Sequence, residues 1–316
     1  MSETQTIRVR DAKNQSILPD KLKDMNLLGV YQGNIYLGSE CAGDCSDTLV
    51  FGYSIADNAI IGAVRLKGGA WPTSWAQKDN LLFVGTRWGR LTAVDMGKCR
   101  EVGHLNNLGN AIDSIAVNGQ VYFGANGYGL CRSDIGLART AKEKKEQVVS
   151  ALTLRDGRLF AFYFSNGNDP VLDGSPAGGL VEVLNENLEV LSKRNGTPYA
   201  VTQAINTVRG LKFSTRNISN GWIENGEGAL YSLVPSDLSD AVLLELPAAV
   251  NILIEGQRGV LLAGLKNGQV YKIEGKRKRV IHSQGYEITG LASEGGEIYI
   301  GSPNGEIHRM SVDGHL

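Results

Sequence analysis

Very little in this chain announces a chemistry. Cysteine occurs four times in 316 residues, as Cys41, Cys45, Cys99 and Cys131. That is too few to staple a fold of this size, so a disulfide framework is excluded and a reducing, cytoplasmic setting is expected. No stretch approaches the ~18 apolar residues of a membrane span. The opening MSETQTIRVRDAKNQS lacks the apolar core of a secretory signal, so membrane insertion and secretion are not expected. Neither sign of charge dominates: 32 Lys and Arg against 33 Asp and Glu leave a net charge of −1. This excludes a global field for nucleic acid or an anionic membrane. The one basic run, Lys276 to Arg279, reads as a solvated hairpin tip, and nucleic acid is not expected as a partner.

Catalytic signatures are missing as well. There is no G-x-S-x-G, no H-E-x-x-H and no phosphate loop, and the four histidines (His104, His282, His308, His315) are scattered. Two groups have ligand chemistry. Cys41 and Cys45 form a CAGDC pair, but nothing nearby completes a four-ligand set. Asp169 and Asp173, with Asn166 and Asn168, are oxygen donors without calcium-loop spacing, in a stretch whose composition is that of any turn. No metal and no cofactor is expected.

What the chain has is glycine, 40 of them, and a phrase that recurs. A short β-rich run ending in a small residue stands as IYLG (Gly38), LFVG (Gly85), VYFG (Gly124), LFA (Ala161), LKFS (Ser214), LLAG (Gly264) and IYIG (Gly301), at intervals of 37 to 53 residues. Each copy is followed by a Gly-containing turn and a second β-rich run. Short strands at that period, without helices, predict an all-β fold: a β-propeller of four-stranded antiparallel blades. Seven second strands and seven third strands can be pointed to, so seven blades are expected rather than six or eight. They run approximately 25–66, 71–107, 110–146, 147–195, 200–247, 248–284 and 286–316, as one domain. In blade three the fourth strand is open between a strand and a helical turn or loop, because ARTAKEKKEQ suits each. The last blade lacks a fourth strand, while TIRVRDA (6–12) is β-branched, alternating and unassigned. It is expected to close the ring as the outer strand of blade seven.

The stretch LLFVGTRWGRLTAVDMGKCREVG (81–103), echoed by GLKNGQVYKIEGKRKRV, resembles the repeats of the quinoprotein-like propellers, a pattern shared with WD-type propellers. No blade carries the Gly-His and Trp-Asp pair of the WD pattern. Quinone-dependent members of that superfamily use adjacent cysteines and calcium-binding acids, which this chain does not have. The resemblance therefore implies the scaffold, as in non-catalytic assembly factors.

With the inner strand of each blade running downward, the turns after the first strand are short, and the connections after the second lie on top. Three of the latter are enlarged, in blades one, four and five. Surface loops on a rigid frame are where binding resides. All four tryptophans map to that top: Trp71 and Trp75 at the entry of blade two, Trp88 in its upper turn, Trp222 in the blade-five insertion. With Arg87, Arg90 and Arg216 they form the expected partner-binding set. At the channel mouth, aligning the inner strands places Asn26, Ser74, Ser114, Ser150, Gln203, Asn251 and Thr289 in one column. All are neutral and polar, suited to satisfying strand starts or ordering water. The expected function is a non-enzymatic scaffold that docks a protein partner through its top face. A metal-assisted hydrolase, a lactonase or a small-ligand binder at the channel mouth is the alternative, which the missing acids disfavour.

Overall fold

A computed structural model describes residues 4–13, 22–41, 47–138, 140–143, 148–164, 179–197, 200–219 and 222–311. Seven four-stranded antiparallel sheets form a seven-bladed propeller. Their inner strands, Leu22–Tyr31, Pro72–Lys78, Ile112–Val117, Val148–Arg155, Ala200–Thr207, Val250–Glu255 and Gly290–Glu294, each neighbour the next, and the last returns to the first. Among the described residues no helix is long and apolar enough to cross a membrane.

The recurring glycine has a steric cause. In blades two, three, six and seven the second strand passes so close to the next blade that a side chain would collide: a Cβ at Gly124 would lie 2.5 Å from the Cβ of Val149, and one at Gly301 2.6 Å from the Cβ of Leu27. Blade four breaks the rule. Its residue in that register is Phe162, paired with Ala151, rather than Ala161, and the Phe162 ring packs on Phe213 of blade five with centroids 5.2 Å apart. An aromatic fills the seam where five other blades carry glycine and blade five carries Ser214.

The ring closes through the N-terminal segment. Gln5–Arg8 pairs with the third strand of blade seven, Thr6 opposite His308 and Ile7 opposite Ile307. The strand is shorter than 6–12, because Val9–Asp11 turns in one 3-10 turn. That turn redirects the chain to blade one, where the Lys13 amide donates to Asn58 O (2.8 Å) and the Ile60 amide to Lys13 O (3.1 Å). Ile7, Val9 and Ala12 are buried in the blade-one core with Met25 and Leu27. The closing segment thus holds both sides of the seam. In blade three, Thr140–Glu143 is the fourth strand, in register with Leu130–Ser133, so the open choice there falls to a strand.

The enlarged connections differ in kind. In blade five the insertion is a lengthened hairpin, Gly210–Ser219 against Trp222–Leu233, with Ile218 opposite Ile223. The sequence reading as a loop is corrected: after a register shift between Arg216 and Ile218 the two strands pair again, beyond the reach of the blade's first and fourth strands. The blade-four insertion (165–178) and residues 42–46 of blade one, with Cys45, Asp169 and Asp173, lie outside the described residues.

Candidate functional site: the channel mouth and the blade-two rim

The upper ends of the inner strands are stitched blade to blade by short polar side chains. Thr73 Oγ1 and Ser74 Oγ both donate to Ile112 O (2.7 and 2.6 Å). Ser114 Oγ donates to Val149 O, Thr202 Oγ1 to Val250 O, Asn251 Nδ2 to Ile288 O and Thr289 Oγ1 to Met25 O, at 3.0–3.2 Å. Each donor satisfies a carbonyl at or near the start of the following blade's inner strand, tying the two blades at the seam. Ser150 bonds Phe162 O in its own blade, and Asn26 bonds Asp24 O. The polar column is therefore largely structural.

That column is also two columns. Most inner strands carry a one-residue bulge near their start, with register shifts across Thr73, Asp113, Ser150, Thr202 and Asn251. Asn26, Ser74, Ser114 and Gln203 sit opposite the second strand's small residue, whereas Ser150 and Asn251 are the bulged residues and Thr289 lies just before its strand. A bulge leaves one residue unpaired and redirects its side chain. Following the bulge around the ring brings in Asp113, which the sequence alignment missed by one position. The expectation of a mouth without acids is corrected: Asp113 lines the channel. Burial pushes its carboxyl up to about 6, against a lowering by Arg87.

The channel has a volume of about 620 Å³ and is walled by inner-strand residues of all seven blades. Its lower end is tied differently. Glu294 accepts the Gln32 and Gly33 amides (2.8 and 2.7 Å), Glu255 accepts the Val208 amide (2.9 Å), and Gln77 Nε2 donates to Val30 O (3.0 Å).

Above blade two stands an aromatic rim. Trp71 is 41% exposed and Trp88 51%. The Arg87 amide donates to Trp71 O (3.0 Å), and the Arg87 guanidinium lies 5.6 Å from the centre of a Trp71 ring. Gly89, with φ of +67°, closes the turn that carries Arg87 and Trp88, its amide donating to Thr86 O (3.3 Å). Trp75 is half-buried, packed on the core between blades one and two, and faces the channel. Arg90 is corrected: it is 8% exposed and points inward. Its Nη2 pairs with Glu101 (2.8 Å), its Nη1 donates to Asn106 and Lys67 O, and its Nε to Thr92. The side chains of Arg216, Trp222 and Cys41 lie outside the described residues. Tyr286, in the link entering blade seven, is a further exposed aromatic at this end. Reading the link residues for tyrosine as well as tryptophan would have found it.

Among the described residues no group of three or more His, Cys, Asp and Glu is placed to hold a metal ion.

No family model matches this sequence, and no curated protein matches it. Solved structures do match in shape. The computationally designed Ika8 protein superposes with a TM-score of 0.62 at 13% identity, over 92% of this chain and 98% of that one. A chain of the mitotic checkpoint complex superposes with a TM-score of 0.63 at 11% identity, over 94% of this chain and 92% of that one. At such identities the likeness is one of fold.

Proposed function

We propose that this chain is a non-enzymatic scaffold that docks a protein partner on its top face, with the blade-two rim as the anchor. The observation that carries this reading is the exposure of both Trp71 and Trp88 at one end of blade two, with Arg87 against the Trp71 ring. Other large aromatics, such as Tyr36, Phe51, Phe83 and Phe123, are fully buried, and Tyr286 is exposed with the two tryptophans. Exposed tryptophan beside arginine is the composition of an interface hot spot. The lengthened hairpin of blade five, with Arg216 and Trp222, and the blade-four insertion extend this surface in the proposal. The fold supports the same use, since one of its shape relatives is a chain of a multiprotein complex. A reducing, cytoplasmic setting belongs to the reading and is supported by Cys99 and Cys131 as free thiols. The quinoprotein-like repeat pattern enters as scaffold only.

The test is affinity capture from native cells with the wild type, Trp88→Ala and Trp71→Ala in parallel, identified by mass spectrometry. A partner held by the wild type and weakened in both variants, by roughly 2 kcal/mol or about thirtyfold in Kd, is expected. If every captured partner is retained equally by both variants, the rim is not the docking surface.

A further inference from the structure

The channel has an electrostatic sign that the chain as a whole does not. Its lining includes Asp79, Asp113 and Glu294 and no lysine, arginine or histidine, in a protein of net charge −1. The three acids are not equivalent. Glu294 is committed to the Gln32 and Gly33 amides. Asp79 sits at a hairpin tip, 76% exposed, with Lys78 Nζ 3.6 Å away. Asp113 has neither arrangement: no hydrogen bond or ion pair among the described residues reaches its carboxylate, and Arg87 acts on it only from a distance. The hydroxyls that could have served it spend their protons on the carbonyls of Ile112, Val149, Val250 and Phe162.

A desolvated, unpaired carboxylate is costly. The same bulge carries Ser150 in blade four and Thr202 in blade five, so the fold does not need an acid there.

We propose that Asp113 is the receptor for an alkylammonium or guanidinium group that enters the channel from above. Between low-dielectric walls an opposite charge is attracted more strongly than in water, and a carboxylate with no ion pair among the described residues draws cations to the mouth. Ser74 and Ser150, whose hydroxyl protons are engaged, keep oxygen lone pairs free to accept from the incoming N–H groups. Trp75 offers an aromatic wall beside them, and Ile115 and Leu152 offer apolar surface to an alkyl stem. The volume of about 620 Å³ is that of a small-ligand site. The proposal does not rest on the tryptophan rim.

The cation has two sources, a free polyamine or a basic side chain of a peptide, and the experiment separates them. The intact protein is titrated with spermidine in one arm and with N-acetyl-lysine methylamide and N-acetyl-arginine methylamide in the other. Calorimetry and the ¹³C resonance of the Asp113 carboxyl are followed. Saturable binding is expected, with the Asp113 midpoint moving down from about 6 by roughly one unit or more. Asp113→Asn should weaken binding about tenfold or more while the melting temperature holds or rises. Should Asn perturb folding, Asp113→Ser reproduces the residue of blade four and makes the same comparison. Spermidine binding alone assigns a free polyamine, amide binding alone a side chain, and binding of both the shared chemistry. Absence of saturation by any probe below ~10 mM, or equal affinity in the wild type and both variants, overturns the proposal.

Discussion

Gly85 and Ile112 meet across the seam between blades two and three at a separation that admits no side chain: a Cβ on Gly85 would lie 2.6 Å from the Cβ of Ile112 and 2.7 Å from Ser74 Oγ. Both obstacles belong to inner strands fixed by backbone pairing, so neither can retreat cheaply. Gly85→Ala should therefore destabilise the ring by about 1–3 kcal/mol. Gly119→Ala, where nothing lies within 4 Å, should be neutral or slightly stabilising. Urea denaturation of the pair checks this, and equal midpoints for the two variants would refute the steric account of the repeat.

Deleting residues 1–14 should leave the third strand of blade seven as a raw edge and uncover the blade-one core at Ile7, Val9 and Ala12. A lowered melting temperature and aggregation are expected by calorimetry and light scattering. Ile7→Ala alone should cost about 2–5 kcal/mol. A truncated protein that melts and behaves like the full chain would show that closure does not depend on this segment.

His282 and His308 face each other across the seam between blades six and seven, ring centres 4.6 Å apart. Burial lowers the pKa of both, and for His308 the neighbouring His282 lowers it further, while Glu306, paired with Arg8, raises it. A histidine depressed in the folded state binds fewer protons there than when unfolded. Its contribution is full above the unfolded value of 6.5 and is lost as pH falls from there through the lower folded value. Stability should drop from pH 7.5 to 5, and His282→Asn with His308→Asn should flatten that slope. Asp113 carries the opposite sign, because its carboxyl is raised. Its charged form opposes folding above the usual carboxylate range, so Asp113→Asn should hold or raise the melting temperature at pH 7.5.

Arg90 and Trp88 stand two residues apart and should behave oppositely. Arg90→Ala removes four side-chain hydrogen-bond partnerships, one of them to Glu101, and should cost on the order of 2 kcal/mol or more of stability. Lysine should not rescue it, since an ammonium cannot span those acceptors. Trp88→Ala should change stability by no more than about 0.5 kcal/mol. Thermal melts of the three variants check the contrast.

By itself the sequence determined the seven repeats, their all-β character, the closing role of the N-terminal strand, and the placing of Trp71 and Trp88 at one end of blade two. These follow from local signals: alternation, turn glycines, and a strand left over at one end of the chain and missing at the other. Tertiary structure decided the rest. A one-residue bulge reverses which face a side chain takes without altering the hydrophobic pattern around it. Asp113 therefore entered the channel, and Ser74 and Ser114 turned to the next blade, unannounced by their neighbours in sequence. Arg90 reads as a surface charge until Glu101, Asn106 and Lys67 O, brought together by strand pairing, draw it inward. Phe162 in place of glycine, and Lys13 reaching blade one, depend likewise on which blade lies beside which. That is a property of ring closure, and no stretch of the chain carries it alone.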